Sequence, residues 1–554
     1  MNGLLILLLS ALVLAAGYWL YGRCIERSWG VDPAAATPAV RRRDGRDFVA
    51  TRSWVLLIHA FVSVCAVLVI FGPVEAARYG WLPVLAWILL GGVLIGGVQE
   101  YCVLYVSVKS RGLTLGGLFE KFTGLRWKKV FLAFAWLVCV VAIAALTDIA
   151  ARTLDGFAGV EETDPLRGRA GTVLLLLYVF ALLTGLAGRY SKISAWGTRA
   201  ITVTILICAT MLGMLFPVAL RPSLWHVIIL SFALLSAAAP VWLTLHPRAH
   251  LHTLLYGLLL LAVLAGLVAG RHSMTIPAWT GFAVEGRSLY PWLFVTVTCG
   301  AVSGLQALTA SNVISRQIGS EPRIRRIGFG AVMLECFVAV IALVCVGTRP
   351  GASAFSGDPG ALFLSAVGSV LSGLGIPAEI SGSFYILLIA CLCIGALETL
   401  ARAARVCWQE FFDYGDEEPS FVRYAAANGW VGAGVTLLAA LLLCRIGYSA
   451  VWPLFGTAVQ TLSGLALLIC AVWLRSTRRN AVWVLVPMVF MLLVSMTALI
   501  LTVIESAIAL AGGSAHLIAD IFRIVLSLAI FVTTVLLCYQ GFRRLFEPER
   551  APED

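Results

Sequence analysis

The chain has 554 residues, of which 60% are hydrophobic and 12% charged, with a mean hydropathy of +0.94. Soluble chains run at ~45–50% apolar and about 25% charged, so a soluble enzyme is excluded. The net charge of +11, from 40 Lys+Arg against 29 Asp+Glu, fits either a nucleic-acid partner or basic loops flanking membrane spans. The placement of the charges decides between them.

Apolar blocks of about 17–25 residues suit the ~30 Å hydrocarbon core of a bilayer. Fifteen can be delimited: 3–22, 53–72, 81–108, 130–150, 171–187, 200–219, 225–245, 251–270, 290–312, 330–347, 383–401, 429–444, 448–474, 481–505 and 518–540. The first has the length of a signal peptide, but it lacks a basic start and is followed by Arg23, Arg27 and Arg41–Arg43, so it reads as an anchor. With the N-terminus outside, 30 of the 40 Lys and Arg fall in inside segments, nine outside, and Arg523 within the last span. The positive-inside rule therefore predicts an N-out, C-in protein with the lipid bilayer as its partner, and it removes the case for nucleic acid. The segment 361–376 is apolar but short, which suits an interfacial or re-entrant piece. The 402–428 loop is acidic at its centre (Glu410, Asp413, Asp416, Glu417, Glu418). Most of the fourteen cysteines lie in apolar spans, where cysteine acts as a small hydrophobe. Cys391 and Cys393 lack a zinc spacing, so neither metal nor cofactor is expected.

Ionisable groups inside a bilayer are costly and mark functional candidates. Glu100 follows Gln99 and a glycine-rich face (Gly91, Gly92, Gly96, Gly97) that lets a neighbouring helix approach. It reads either as a cation or proton site or as a helix-end carboxylate paired to Lys109. Glu335 sits early in the tenth block. Glu398, Arg402 and Arg405 share one helical face, with Glu398 and Arg402 at the spacing of an internal ion pair, and Asp520 with Arg523 makes a similar pair in the last span. Both pairs read as structural. His59 is either a proton relay or a packing residue. His246, His250 and His252 lie in H-P-R-A-H-L-H, where Pro247 is expected to break the helix and leave them in an interfacial loop. Pro240, Pro453 with Gly456, and Pro487 mark points where a helix opens. The ninth block carries Thr296, Thr298, Ser303, Gln306, Thr309, Ser311 and Asn312 with Gly300 and Gly304, the pattern of a tightly packed or cavity-lining helix.

Several ordered segments resemble the carbon starvation protein (CstA) family of inner-membrane transporters. They are D-G-R-D-F-V-A-T at 44–51, G-W-L-P from Gly80, G-G-V-Q-E-Y at 96–101 and P-W-L-F-V-T-V-T-C-G-A-V-S-G at 291–304. I-G-F-G-A-V-M-L-E-C-F-V-A-V at 327–340, R-A-A-R-V-C-W-Q-E at 402–410 and W-P-L-F-G-T-A-V-Q-T-L-S-G at 452–464 complete the set. The apolar blocks predict an all-α polytopic membrane protein of about 15 helices, and the resemblance implies a fold like that of the amino acid–polyamine–cation transporters with their inverted repeats. It divides the chain into a transporter domain over 1–474 and C-terminal spans with a short tail over 475–554. It also implies import of small peptides, or of a carboxylate such as pyruvate, under carbon starvation, driven by a coupling cation, the proton.

The chain departs from the family pattern at telling places. Ala60 and Ala66-Val67-Leu68-Val69 replace a second histidine and a helix-breaking G-A-G-P, so an unbroken second span is expected there. Ser303-Gly304-Leu305-Gln306 stands for S-G-F-H, and Ser311-Asn312-Val313-Ile314 for S-G-T-T. Glu100 and Glu398 stand where the family has aspartates. The expected function is secondary transport of a small solute along a path lined by His59, Gln99, Glu100, Gln306, Ser311 and Asn312. The alternative is a membrane sensor that kept the scaffold and lost transport, as the unbroken helix would suggest.

Overall fold

The computed structural model describes residues 2–45, 47–64, 66–157, 163–190, 195–270, 272–297, 302–349, 358–413, 420–445, 448–513 and 517–547. Nearly all of it is helix, with one two-stranded ribbon, Ala283–Val284 against Arg287–Ser288. The main helices are α1 (Gly3–Trp29), α2 (Ser53–Val64), α3 (Leu68–Ala76), α4 (Trp81–Lys109), α5 (Leu125–Thr153), α6 (Pro165–Tyr190), α7 (Ala195–Leu215), α8 (Pro222–Ala238) and α9 (Leu245–Gly270). They continue as α10 (Leu289–Thr296), α11 (Gly304–Thr309), α12 (Arg323–Gly347), α13 (Pro359–Ser372), α14 (Ala378–Phe411), α15 (Gly429–Cys444), α16 (Tyr448–Ser476), α17 (Val482–Ala511) and α18 (Leu517–Phe546).

Among the described residues ten helices are long and apolar enough to cross a membrane, and the bent pair α2–α3 makes an eleventh. The fifteen spans expected are not all present as such. The reason is local chemistry that shortens helices. Proline at the start of α8 and α13 suits a helix N-terminus, and the chain beyond Ala238 turns extended just before Pro240. These two, with Gly429–Cys444 and the end of α7, are apolar helices of only 10–17 residues. The ninth block is divided into α10 and α11. Its Thr298 and Gly300, like Asp416, Glu417 and Glu418 of the acidic loop, lie outside the described residues. The 361–376 segment is a real helix, α13, burying Phe363, Ala366, Val367 and Val370. Pro487 is accommodated inside α17.

Helices α5, α12, α14 and α16 form the interior: 78–100% of their most apolar stretch is buried within the protein. In α1, α9 and α18 the figure is 28–33%, and their exposed faces carry Leu8, Leu12, Leu261, Ile518 and Val525. In water such a surface would be an aggregation liability; against lipid it is the contact surface.

The expected unbroken second span is the main correction. Helices α2 and α3 are bent by 47° across a short break, even though Ala66–Val69 carries no glycine or proline. Pro73 stands inside α3 and has no N–H to offer Val69. Gly72 brings this backbone against that of α10: a Cβ there would stand 2.5 Å from the Thr296 carbonyl oxygen. The second interruption, between α10 and α11, is therefore packed directly on the α2–α3 unit. The break expected at G-A-G-P survives without its glycines, and the argument for a non-transporting scaffold loses its basis.

The contact makes a prediction. Gly72→Ala, with only backbone to yield, should destabilise the folded protein by about 1–3 kcal/mol. Gly257→Ala, where a Cβ meets nothing within 4 Å, should not. Thermal melts in detergent of the two variants beside the parent check this.

Candidate functional site

The polar interior begins on α4. A π-helical turn at Gly92–Gly96 precedes Gln99 and Glu100; such turns rotate the side chains that follow out of the regular stripe. The glycine face does what its spacing suggested, since a Cβ on Gly97 would lie 2.7 Å from the Phe329 ring of α12. Gln99 is buried and spans two elements. Its Nε2 donates to the Ser303 carbonyl at 2.6 Å, at the residue just before α11, and its Oε1 accepts from the Ser463 hydroxyl of α16. Gln99 thus ties the residue that opens α11 to α16.

Glu100 is fully buried, and neither carboxyl oxygen has a partner. Lys109 pairs instead with Glu321 at 2.7 Å, so the helix-end ion pair is not formed. Gln306 of α11 donates from Nε2 to Glu335 Oε2 at 2.7 Å. Ser311 and Asn312 lie in a second π-helical turn, Ala310–Ile314. The Ser311 hydroxyl donates to Asn312 Oδ1 at 3.0 Å, while Asn312 Nδ2 donates to the Ala403 carbonyl of α14 at 3.3 Å. The structure therefore groups Gln99, Glu100 and Gln306 near the second interruption, with Glu335 and Ser463, and sets Ser311 and Asn312 further along against α14.

His59 belongs to a different cluster. It is buried on α2, its ring edge-on to His246 at 5.9 Å between centroids, and its Nε2 has no partner. His246 bonds Gln317 at 2.9 Å. The loop expected for the three histidines is a correction: they lie in the first turns of α9. Pro247 falls in that first turn, where a missing N–H costs nothing, and the helix runs through it. His252 is fully buried.

The structural pair assigned to Glu398 and Arg402 is also corrected. Glu398 pairs with the fully buried Arg248 of α9 and accepts from the Ser236 hydroxyl at 2.7 Å. Arg402 reaches the Ser236 carbonyl at 2.7 Å and the Ala239 carbonyl, closing the end of α8, and pairs with Asp47 at 2.8 Å. Arg405 also meets Asp47, at 3.1 Å. An i,i+4 spacing allows a pair but cannot exclude a better partner on another helix. Burial works against charge on Asp47, yet Arg405 and Arg402 outweigh it and hold its carboxyl below the ordinary value. The clasp it forms is therefore fully present above the ordinary carboxylate pKa of about 4 and is lost only as the pH falls through that lowered value. Asp520 and Arg523 do meet, at 3.1 Å. The roles of Asp47 and Arg248 and the placement of His246 and His252 escaped the sequence reading; D-G-R-D-F-V-A-T at 44–51 was the visible signal for the first and the conspicuous H-P-R-A-H-L-H for the others.

A helical membrane protein with two interrupted helices packed on each other and buried carboxyls beside them has the build of a transporter. The comparisons agree. The chain is similar over 91% of its length to manganese transporter structures from Eremococcus coleocola (98% of that chain, TM-score 0.52, 14% identity), a likeness of fold. The family model for carbon starvation protein CstA matches residues 2–358 and 352–498, and the chain belongs to that family. It is 30% identical to the peptide transporter CstA of Escherichia coli K12, over 90% of this chain and 80% of that one. It is 25% identical to the peptide transporter CstA of Bacillus subtilis 168, over 89% of each. It is 29% identical to the pyruvate/proton symporter BtsT of Escherichia coli K12, over 68% of this chain and about half (52%) of that protein. These relatives and structural neighbours are transporters, not enzymes.

Breaking the buried Arg248–Glu398 pair leaves an uncompensated charge, which typically costs ~3–5 kcal/mol. Arg248→Met and Glu398→Leu should each lower the melting temperature strongly, and the double variant should recover most of the loss. A double-mutant cycle in detergent measures this.

Proposed function

We propose that this protein is a secondary active transporter that imports a small peptide, or a small carboxylate such as pyruvate, across the bacterial inner membrane during carbon starvation. The coupling cation is the proton, and the N-terminus faces outward with the C-terminus in the cytoplasm. One observation carries the reading: the backbone contact between Gly72 and Thr296, where two interrupted helices cross inside the protein. Interrupted helices expose backbone groups that a solute or ion can satisfy, and they bend at small cost between inward- and outward-open states. The family relationship to a peptide transporter and a pyruvate/proton symporter supports the solute class.

The cavity pattern fits one closed state of such a cycle. At the crossing, Leu68, Trp292, Thr296 and Gly456 border a cavity of only about 50 Å³, too small for a dipeptide. A larger cavity of about 380 Å³ is bordered by Phe71 of α3, Arg152, Asp164, Arg167, Asp358 and Tyr385. Its size suits a small solute, and its charges of both signs suit a molecule carrying carboxylate and ammonium ends. We assign it as the vestibule through which solute reaches the crossing. The fold is that of the amino acid–polyamine–cation transporters with inverted repeats, and the path beyond the vestibule runs past Gln99, Glu100, Gln306, Ser311, Asn312 and His59.

Purified protein in proteoliposomes should accumulate labelled pyruvate or a di- or tripeptide when an inward proton gradient is imposed, and accumulation should collapse with a protonophore. Glu100→Gln should reduce gradient-driven accumulation at least tenfold with unchanged expression and melting temperature. Uptake by that variant at the parent's level would remove Glu100 from the mechanism; no uptake of any of these solutes by the parent would remove the transport reading.

A further inference from the structure

Four buried oxygen atoms around Glu100 share one deficiency. Glu100 Oε1 and Oε2, Glu335 Oε1 and Gln306 Oε1 all lack a hydrogen-bond partner, and their residues are 0–3% exposed. All four are acceptors when the carboxyls are ionised. One N–H of the Gln306 amide donates to Glu335 at 2.7 Å, and its Oε1 is left without a partner. Helices α4 and α12 pack closely here, since a Cβ on Gly328 would lie 3.3 Å from the Glu100 carbonyl oxygen and one on Gly92 would meet the Cys336 sulfur next to Glu335, and Glu335 lies within electrostatic reach of Glu100. A buried carboxylate without a counter-charge costs several kcal/mol, and here two stand together.

The neighbouring elements do not supply that charge. On α12 the nearest titratable group is the Cys336 thiol beside Glu335. Three charged residues on the surrounding elements are engaged elsewhere: Arg325 with Glu26 at 2.9 Å, Lys109 with Glu321, and Arg316 with Glu410 at 3.7 Å. Helix α16 presents Gln460, whose Nε2 reaches the Met491 sulfur. What the cluster lacks is a positive charge on its oxygens.

We infer that Glu100, Glu335 and Gln306 form one site for a single small monovalent cation, a proton or a sodium ion, and that Glu335 is as necessary to it as Glu100. Two carboxylates and an amide oxygen suit such an ion. A divalent transition metal prefers more His, Cys or carboxylate ligands, and no group of three such residues is placed to hold a metal among the described residues. The Gln306 oxygen is part of the site, and its amide holds Glu335 in place. The inference deepens the transport reading, because a proton held here would be the one whose gradient drives uptake, while sodium bound here would replace the proton in that reading; its test needs no transport.

The test uses the purified full-length protein in detergent. Radioactive sodium binding is measured by scintillation proximity, and infrared difference spectra between acid and alkaline pH follow the carbonyl stretch of protonated carboxyls. For a sodium site, the parent should bind about one sodium per chain. For a proton site, a buried carboxylic-acid band should appear on acidification with no sodium bound. In either case Glu100→Gln and Glu335→Gln should each abolish or displace the signal, and Gln306→Leu should shift the apparent affinity or midpoint at least tenfold. Should Glu335→Gln fail to fold, Glu335→Asp carries the test through a displaced midpoint or a weakened sodium affinity. Neither signal in the parent, or a signal lost in Glu100→Gln but intact in Glu335→Gln, overturns the inference. Intact cation binding with no solute uptake would instead strike at the transport reading alone.

Discussion

The structure depends on one constraint: inside a bilayer every backbone carbonyl and N–H needs a partner from the protein itself. A continuous helix meets it unaided. An interrupted one cannot, and this chain has placed long buried polar side chains where its helices stop. Gln99 reaches the Ser303 carbonyl ahead of α11. Arg402 reaches the Ser236 and Ala239 carbonyls at the end of α8. Trp225 donates to the Leu154 carbonyl at the end of α5, 2.9 Å away. Polar residues that look like isolated anomalies in an apolar sequence are thus the partners of backbone groups several helices distant.

The same side chains connect the backbone to the charges. Gln99 adjoins Glu100, and Arg402 adjoins the Asp47 clasp, so each helix end is joined through one residue to an ionisable group. Where the charge is matched, as for Arg248 with Glu398, the result is a rigid joint. Where it is unmatched, as at Glu100 and Glu335, carboxyl oxygens are left without a partner. Burial alone does not separate the two cases, since all four residues are almost fully enclosed. The partner does.

Much of the fold was legible because hydropathy and charge act locally. The apolar blocks found most long helices, and the glycine face preceding Glu100 correctly announced the close approach of α12. Glu100 and Gln306 were visible as costly groups in apolar surroundings. What stayed hidden depends on partners far apart in sequence. Glu398 has Arg402 one turn away, yet its counter-charge comes from a residue 150 positions earlier. Ala66–Val69, with no glycine or proline, was read as an unbroken span, yet α2 and α3 are bent by 47° there, and Gly72 packs its backbone against that of α10. Pro247 was read as a breaker, though the same residue in a first helical turn is neutral; only the helix start, set by tertiary packing, tells the two apart.

The Arg248–Glu398 joint also limits how this molecule can change shape. Sliding α9 past α14 by a single helical turn would part a guanidinium from its carboxylate with no water to receive either. That costs ~3–5 kcal/mol, as much as a millimolar solute supplies on binding, which favours these two helices, with α8 fastened to them through Ser236, moving as one block. The freedom that remains belongs to the elements joined to this block by apolar contact alone, and the hinge of any rocking motion has to run along its border.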